Sequence, residues 1–231
     1  MSDSIACSTN APPIAKSAAK RIRKVQYDPH ASLATARTLY FDANGFPPNG
    51  GYEAKWVDFE LGPIPMPFPN TDSRRRAVRV HDLHHVLTGY ATDIFGELEI
   101  SAWELGAGCA DMAAAWVLNL GGMALGTVIA PRRTFRAWVR GRRSRSLYRT
   151  SIDETFLARH LGDVRTELGL DEKPGPARPS DVGLFLLYWQ VGAWGSLVTA
   201  PIGVASAISV AVAGLFRKGD KKVGSATVSA K

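Results

Sequence analysis

Residues 70–104 read NTDSRRRAVRVHDLHHVLTGYATDIFGELEISAWE, and this segment predicts two helices joined by a short turn. The first four residues offer several helix N-caps, and no proline or glycine follows them until Gly89. One helix is therefore predicted to start at these caps and to end at Gly89. A second helix is predicted to start near Gly96 and to run through Trp103.

The segments on either side extend this helical pattern. Apolar spacing predicts a short helix over 27–40 and a longer amphipathic helix over 152–168. Between residue 40 and residue 70 the chain is rich in turns and prolines, and only a short strand over 52–61 is predicted there. The predicted fold class is all-α.

Composition excludes several classes of protein. The chain has 231 residues, of which 45% are hydrophobic and 21% charged, so it is neither collagen-like nor wholly disordered. Its two cysteines, Cys7 and Cys109, support neither a disulfide framework nor a cysteine zinc ribbon. The net charge of +7 favours an anionic partner, either a membrane surface or a nucleic acid.

Two uncharged segments raise the question of a membrane. The segment from Val182 to Phe216 has Pro201 near its middle and basic residues on both sides, which favours two helical halves that enter and leave the same membrane face. A buried hairpin or an oligomer interface is the alternative. In the segment from Met112 to Pro131, several glycines favour close helix packing over a transmembrane helix.

An arginine cluster lies between these two segments. Aromatic residues are interleaved with it, which suits lipid headgroups or nucleic-acid phosphates. Its position between two apolar segments favours lipid, and no homeodomain, zinc-finger or RNP-like motif accompanies it. A solvated basic face is the alternative. The residues predicted to contact lipid or another anionic surface are Arg132, Arg133, Arg136 and Arg140.

One cluster of side chains has the composition of a metal site. On a helix, His81, Asp82 and His85 share one arc, and the apolar residues of the same segment lie opposite. Imidazole and carboxylate groups are ligands for zinc, iron or manganese, and Glu97 on the returning helix can complete the set. A hydrogen-bonded polar cluster is the alternative. His84 is predicted to lie behind the ligands or in the core packing, and Glu104 is predicted to be a further acid behind the site, with a helix surface charge as the alternative.

The pattern His81-Asp82-x-x-His85, followed after eleven residues by Glu97, resembles the metal-binding signature of the coenzyme Q (ubiquinone) biosynthesis family called Coq-four. The neighbouring His-Val-Leu-Thr-Gly-Tyr at 85–90 is similar to that family too, and the likeness covers roughly 56–170. It implies an all-α, membrane-associated protein that binds a divalent ion, with zinc expected first and iron or manganese as alternatives. The residues implied as ligands, and as the catalytic set, are His81, Asp82, His85 and Glu97.

The resemblance also implies a function. The expected activity is metal-dependent decarboxylation, simple or oxidative, of a prenylated ring derived from 4-hydroxybenzoate, which makes the protein a lyase of ubiquinone biosynthesis. The alternative is a lipid-binding scaffold without catalysis. A phosphohydrolase of the HD type is disfavoured because no upstream histidine and downstream aspartate are suitably placed.

The expected partners and location follow from this function. The partners are a prenylated quinone precursor, membrane lipid, other quinone-biosynthesis proteins and a second copy of the chain, but no nucleic acid. The expected location is the cytoplasmic face of a bacterial membrane, or the matrix side of the mitochondrial inner membrane. The chain is divided into a basic N-terminal tail (1–26), a helical metal-binding core (27–172), a proline-rich linker (173–181), an apolar helical hairpin (182–216) and a basic tail (217–231).

Overall fold

The structure is a computed structural model that describes residues 25–54, 56–57, 60–61, 64–65 and 68–198. It is mostly helical, which confirms the predicted all-α class. The helices are α1 (Leu33–Asn44), α2 (Asp72–Thr88), α3 (Ile94–Ala107), α4 (Ala113–Ile129), α5 (Pro131–Gly141), α6 (Glu154–Leu157), α7 (Leu161–Glu167) and α8, which covers positions 179–198.

The two helices predicted from 70–104 are present, and local capping explains their ends. The Thr71 side chain accepts a hydrogen bond from the backbone of α2, and Gly89 ends α2 in the left-handed conformation, with φ of 73°. Asp93 caps α3 in the same way as Thr71 caps α2. Helix α3 therefore begins two residues before the predicted position and continues to Ala107.

The proline-rich region forms two nested antiparallel pairs of very short strands. β1 (Trp56–Val57) pairs with β4 (Phe68–Pro69), and β2 (Glu60–Leu61) pairs with β3 (Ile64–Pro65). The continuous strand predicted over 52–61 is therefore wrong, since the chain is in a turn at 51–53 and the paired segments contain two residues each.

The single helix predicted over 152–168 is also wrong, because the chain breaks between α6 and α7. His160 forms an isolated β-bridge with Ser32. The next two backbone N–H groups, of Leu161 and Gly162, donate to carbonyls of the segment before α1 instead of to the preceding turn. These long-range hydrogen bonds replace the helical ones, and apolar periodicity does not reveal them.

Helix α3 lies at the centre of the molecule and packs most extensively against α5 and α4. The contact with α5 is close, since a Cβ atom on Gly141 would overlap the Trp103 carbonyl oxygen. Trp103 and Trp138 are fully buried on either side of this contact. The core between these helices therefore holds α3 firmly against its neighbours.

Helix α8 packs against α4 and α5. Phe185 contacts the rings of Phe135 and Trp138, and a Cβ atom on Gly192 would overlap the Leu120 carbonyl oxygen of α4. Asp181 in the first turn of α8 accepts a hydrogen bond from the Arg178 backbone N–H, as in one half of a capping box. Positions 182–198 of the predicted hairpin thus form a helix on the core.

The outer faces of α4 and α8 are apolar. The most exposed large side chains there include Val117 and Val128 of α4, at 66% and 72%, and Trp194 and Leu197 of α8, at 66% and 65%. Among the described residues, no helix combines the length and the apolarity needed to cross a bilayer. The predicted hairpin partner at 199–216 with its Pro201, the tail at 217–231 and nearly all of the tail at 1–26 lie outside the described residues.

Candidate metal centre

Three side chains from two helices meet at the candidate metal centre. His81 and His85 lie one turn apart on α2, and Glu97 lies in the first turn of α3. The Nε2 atoms of the two histidines are 3.1 Å apart, and each lies 3.3 Å from one oxygen of the Glu97 carboxylate. The turn between α2 and α3 therefore brings the three predicted ligands together.

These distances fit a divalent ion. Two ligand atoms that each lie about 2.0–2.1 Å from zinc at the tetrahedral angle are about 3.3 Å apart, which matches the spacing observed. The three residues form a group whose ligand atoms all lie within 4.8 Å of one another. The cluster can bind a metal ion through three protein ligands, and the Glu97 side chain, at 41% exposure, leaves it accessible from outside.

The other ring nitrogen of each histidine is held by the protein. The Nδ1–H of His85 donates to the Tyr90 carbonyl oxygen at 3.1 Å, and the Nδ1–H of His81 donates to Glu104 at 2.9 Å. Both rings therefore present Nε2 to the cluster. A carboxylate or carbonyl behind a histidine is the usual way in which proteins orient a metal-binding imidazole.

Glu104 is fully buried and bonds to four side chains. It accepts hydrogen bonds from His81, from His84 at 2.7 Å, from Tyr148 at 2.7 Å and from Asn119. Burial alone would raise its pKa, but the positive charge and hydrogen bond of His81 and the hydrogen bond of His84 outweigh burial and lower the pKa well below its ordinary value. Glu104 is therefore a carboxylate inside the core.

His84 lies behind the ligands rather than among them. Its Nε2 accepts a hydrogen bond from the Leu147 backbone N–H at 2.9 Å, so the proton of the neutral ring is on Nδ1, which faces Glu104. Complete burial lowers the pKa of His84, in agreement with a neutral ring. The rings of Trp103 and Tyr148 pack edge-on against it.

The cluster binds a proton strongly in the absence of an ion. Burial opposes charge on His81, but the carboxylates of Glu104 and Glu97 outweigh it and raise the pKa of His81 well above its ordinary value. Burial likewise opposes charge on Glu97, and hydrogen bonds from His81 and His85 lower its pKa below the ordinary value. An incoming cation must therefore displace a proton.

Asp82, the fourth predicted ligand, does not belong to this group of three. Its two carboxylate oxygens accept hydrogen bonds from the hydroxyl groups of Tyr52, at 2.6 Å, and Tyr40, at 3.3 Å. Burial raises the pKa of Asp82, while the two tyrosine hydrogen bonds and the nearby histidines act in the opposite direction.

The four arginines predicted to contact an anionic surface differ in their surroundings. Arg132 and Arg136 are exposed on α5 and form no ion pair with any described residue. Arg133 is exposed too, but it pairs with Glu99 at 2.7 Å. Arg140 donates to the carbonyl oxygens of Thr88 and Leu170 inside the protein, and its guanidinium lies over the Tyr90 ring.

Sequence reasoning did not identify the residues that support the site from other elements. Tyr40 lies in α1, Tyr52 in the following turn, Asn119 in α4 and Tyr148 after α5. Each is separated along the chain from the residue to which it bonds, so helical periodicity gives no signal for it. Only Asn119 had a sign in the sequence: it is a polar residue within an uncharged helical segment, which indicates that its side chain has a buried polar partner.

Comparisons of the chain with protein families, with curated proteins and with solved structures find no match. The resemblance to the Coq-four family therefore depends on the residues quoted from the sequence. The geometry of the three ligand side chains is an observation independent of that resemblance.

Proposed function

We propose that the protein is a metal-dependent enzyme of ubiquinone biosynthesis that removes the ring carboxyl group of a prenylated 4-hydroxybenzoate derivative. The observation that carries the proposal is the spacing of His81, His85 and Glu97, which fits one divalent ion with open positions. The sequence resemblance supplies the substrate class. Zinc is the expected ion, with iron or manganese as alternatives.

Different residues would have different roles at this centre. His81, His85 and Glu97 would hold the ion, which when bound supplies a Lewis acid for a phenolate or carboxylate oxygen of the substrate. Glu104 and the Tyr90 carbonyl keep the two imidazoles oriented before any ion arrives. The exposed edge of Glu97 leaves a side open for the aromatic ring.

The proposed reaction breaks the bond between the ring carbon and the carboxyl carbon. In simple decarboxylation the carboxyl group leaves as carbon dioxide, and a proton takes its place on the ring. In the oxidative form a hydroxyl group takes its place: substrate, dioxygen and water give the hydroxylated ring, carbon dioxide and hydrogen peroxide, so the substrate loses two electrons and dioxygen accepts them. Zinc is redox-inert, so the oxidative form favours iron or manganese at the site.

We also propose that the protein works at a membrane surface, on the cytoplasmic side in a bacterium or the matrix side in a mitochondrion. The exposed apolar faces of α4 and α8 and the exposed Arg132 and Arg136 next to them support an anionic bilayer as the partner. A prenylated precursor resides in such a bilayer. Other quinone-biosynthesis proteins and a second copy of the chain are further proposed partners.

The second candidate function is a non-catalytic, lipid-binding scaffold for quinone-biosynthesis enzymes. The exposed apolar faces of α4 and α8 favour it, because a scaffold needs contact surfaces and no turnover. Under this alternative the metal ion stabilises the fold and has no catalytic role.

Metal content and carbon dioxide release test the proposal. We expect about one zinc, iron or manganese ion per purified wild-type chain, and loss of the ion in His85→Ala because one of three ligands is removed. His30→Ala, which replaces an exposed histidine, is the matched control and keeps the ion.

The second measurement is carbon dioxide release from a carboxyl-labelled prenylated 4-hydroxybenzoate derivative. Release by wild type and His30→Ala but not by His85→Ala supports the enzyme. A metal-loaded wild type that releases no carbon dioxide supports the scaffold, and a well-folded wild type that takes up no metal overturns the metal-dependent function.

A further inference from the structure

The carboxyl group of Asp82 has its own set of partners. Asp82 follows His81 directly in α2 and is therefore rotated by about 100° around the helix axis from it. One oxygen accepts a hydrogen bond from Tyr52 and the other accepts one from Tyr40. With 7% exposure, Asp82 is held by these two hydroxyl groups on the side of α2 that faces α1 and the turn at 51–53.

Tyr40 connects Asp82 to the metal centre. The Tyr40 ring is stacked on the His85 ring, with centroids 5.7 Å apart and planes 20° from parallel. The rings of Phe41 and Phe46 also contact the Tyr40 ring, which is therefore packed on several sides. A hydrogen bond from its hydroxyl to Asp82 therefore fixes the ring against a metal-binding imidazole.

We propose that Asp82 is a positioning residue of the metal centre and not a metal ligand. It holds Tyr40 against His85 and connects the Tyr52 turn to α2, while His81, His85 and Glu97 are the protein ligands among the residues that the structure describes. This inference rests on the proposed metal-binding function, and it revises the four-ligand set that the family resemblance implies. A three-ligand set leaves one more position for substrate or water.

Cobalt titration of the full chain separates the two roles. We expect Asp82→Asn to bind one Co²⁺ with the wild-type visible absorption bands and a Kd raised by about tenfold, the lower end for residues behind metal ligands, because Asp82 reaches His85 only through Tyr40. Glu97→Gln removes a proposed ligand and therefore raises the Kd for Co²⁺ by more than about a hundredfold. Asp42→Asn, the same change at an exposed position of α1, matches wild type.

Loss of Co²⁺ or altered bands in Asp82→Asn, comparable to Glu97→Gln, would overturn the inference while the proposed metal function stands. A wild-type chain that binds no Co²⁺ would overturn both. The two failures are therefore distinguishable in one experiment.

A second variant keeps the test valid if Asp82→Asn does not fold. The Tyr52 hydroxyl donates to Asp82, so Tyr52→Phe removes one hydrogen bond and leaves every ligand in place. If Asp82 keeps its tyrosine partners when metal is bound, Tyr52→Phe lowers Tm by about 2–6 °C in both the metal-free and the Co²⁺-loaded protein. A loss that disappears on metal loading shows that Asp82 has moved to the ion, which contradicts the inference.

Discussion

Glu104 accepts four hydrogen bonds inside the core and orients His81, so its replacement tests how far the metal centre depends on a buried carboxylate. We expect Glu104→Gln to weaken Co²⁺ binding by about 10–100-fold, because the amide NH2 group cannot accept from Tyr148 and Asn119 and the amide carries no charge to hold the His81 ring. Isothermal titration measures the affinity, and the visible bands of bound Co²⁺ report the ligand geometry.

Glu172→Gln is the matched control, since Glu172 is exposed. A Glu104→Gln protein with a lower Tm but unchanged affinity and bands would show that Glu104 serves stability alone. A shift in the bands is the result that a purely structural role does not produce.

At the residue scale, the sequence predicted that His81, His85 and Glu97 come together, and it predicted only the supports that lie on the same two helices. His81, His85 and Glu97 lie on two adjacent helices, and spacing along each helix places them on facing sides. Asp82 fits the same arc by spacing, but the tyrosines that bond to it come from segments 30 and 42 residues away. Helical periodicity contains no information about such distant partners.

Among the helices, α8 depends on an ion pair at its first turn. Asp181 is buried and bonds to the Arg143 guanidinium, with one oxygen at 2.6 Å, and the hydrogen bond from Arg143 lowers the pKa of Asp181 below its ordinary value. A carboxyl group with a depressed folded-state pKa stabilises the protein above its unfolded pKa of about 3.9 and loses that effect as the pH falls through the folded pKa.

We therefore expect Asp181→Asn to lower Tm by about 3–8 °C at pH 7, and this difference from wild type to shrink as the pH falls below about 4. Thermal unfolding followed by circular dichroism between pH 2 and 7 measures it. Asp111→Asn, at an exposed position, is the control and shows no such difference. A difference in Tm that is constant with pH would show that the charge of Asp181 does not contribute to stability.

At the scale of elements, the sequence predicted α2 and α3 closely because their caps are local signals. Thr71, Gly89 and Asp93 each act on residues within one turn. The break between α6 and α7 was missed because it depends on hydrogen bonds to the segment before α1, which lies about 130 residues away in sequence. The short strands at 56–69 were missed because pairing of two-residue segments leaves no alternation to detect.

For the whole molecule, the exposed apolar faces of α4 and α8 predict binding to anionic vesicles. We expect Leu197→Glu to weaken binding of the full chain to phosphatidylglycerol vesicles by about tenfold, because it places a charge where a leucine with 65% exposure would enter the bilayer surface. Sedimentation with vesicles measures it. Higher salt weakens wild-type binding too, since Arg132 and Arg136 contribute through charge.

Leu39→Glu is the matched control, because Leu39 on α1 is also exposed, at 46%, and lies outside both faces. Equal weakening by the two variants would show that the effect is general rather than specific to α8. Vesicle binding that is unaffected by Leu197→Glu would remove this face from the membrane proposal.

The position of the three ligands on the chain determines what an ion does for folding. His85 and Glu97 are separated by eleven residues, and the Tyr90 carbonyl and the Asp93 cap already close the loop between them. These contacts form in the folded chain without an ion, so the ligand side chains are in place before an ion binds. An ion at this site is therefore expected to enter and leave a finished scaffold, as an exchangeable cofactor rather than a folding nucleus.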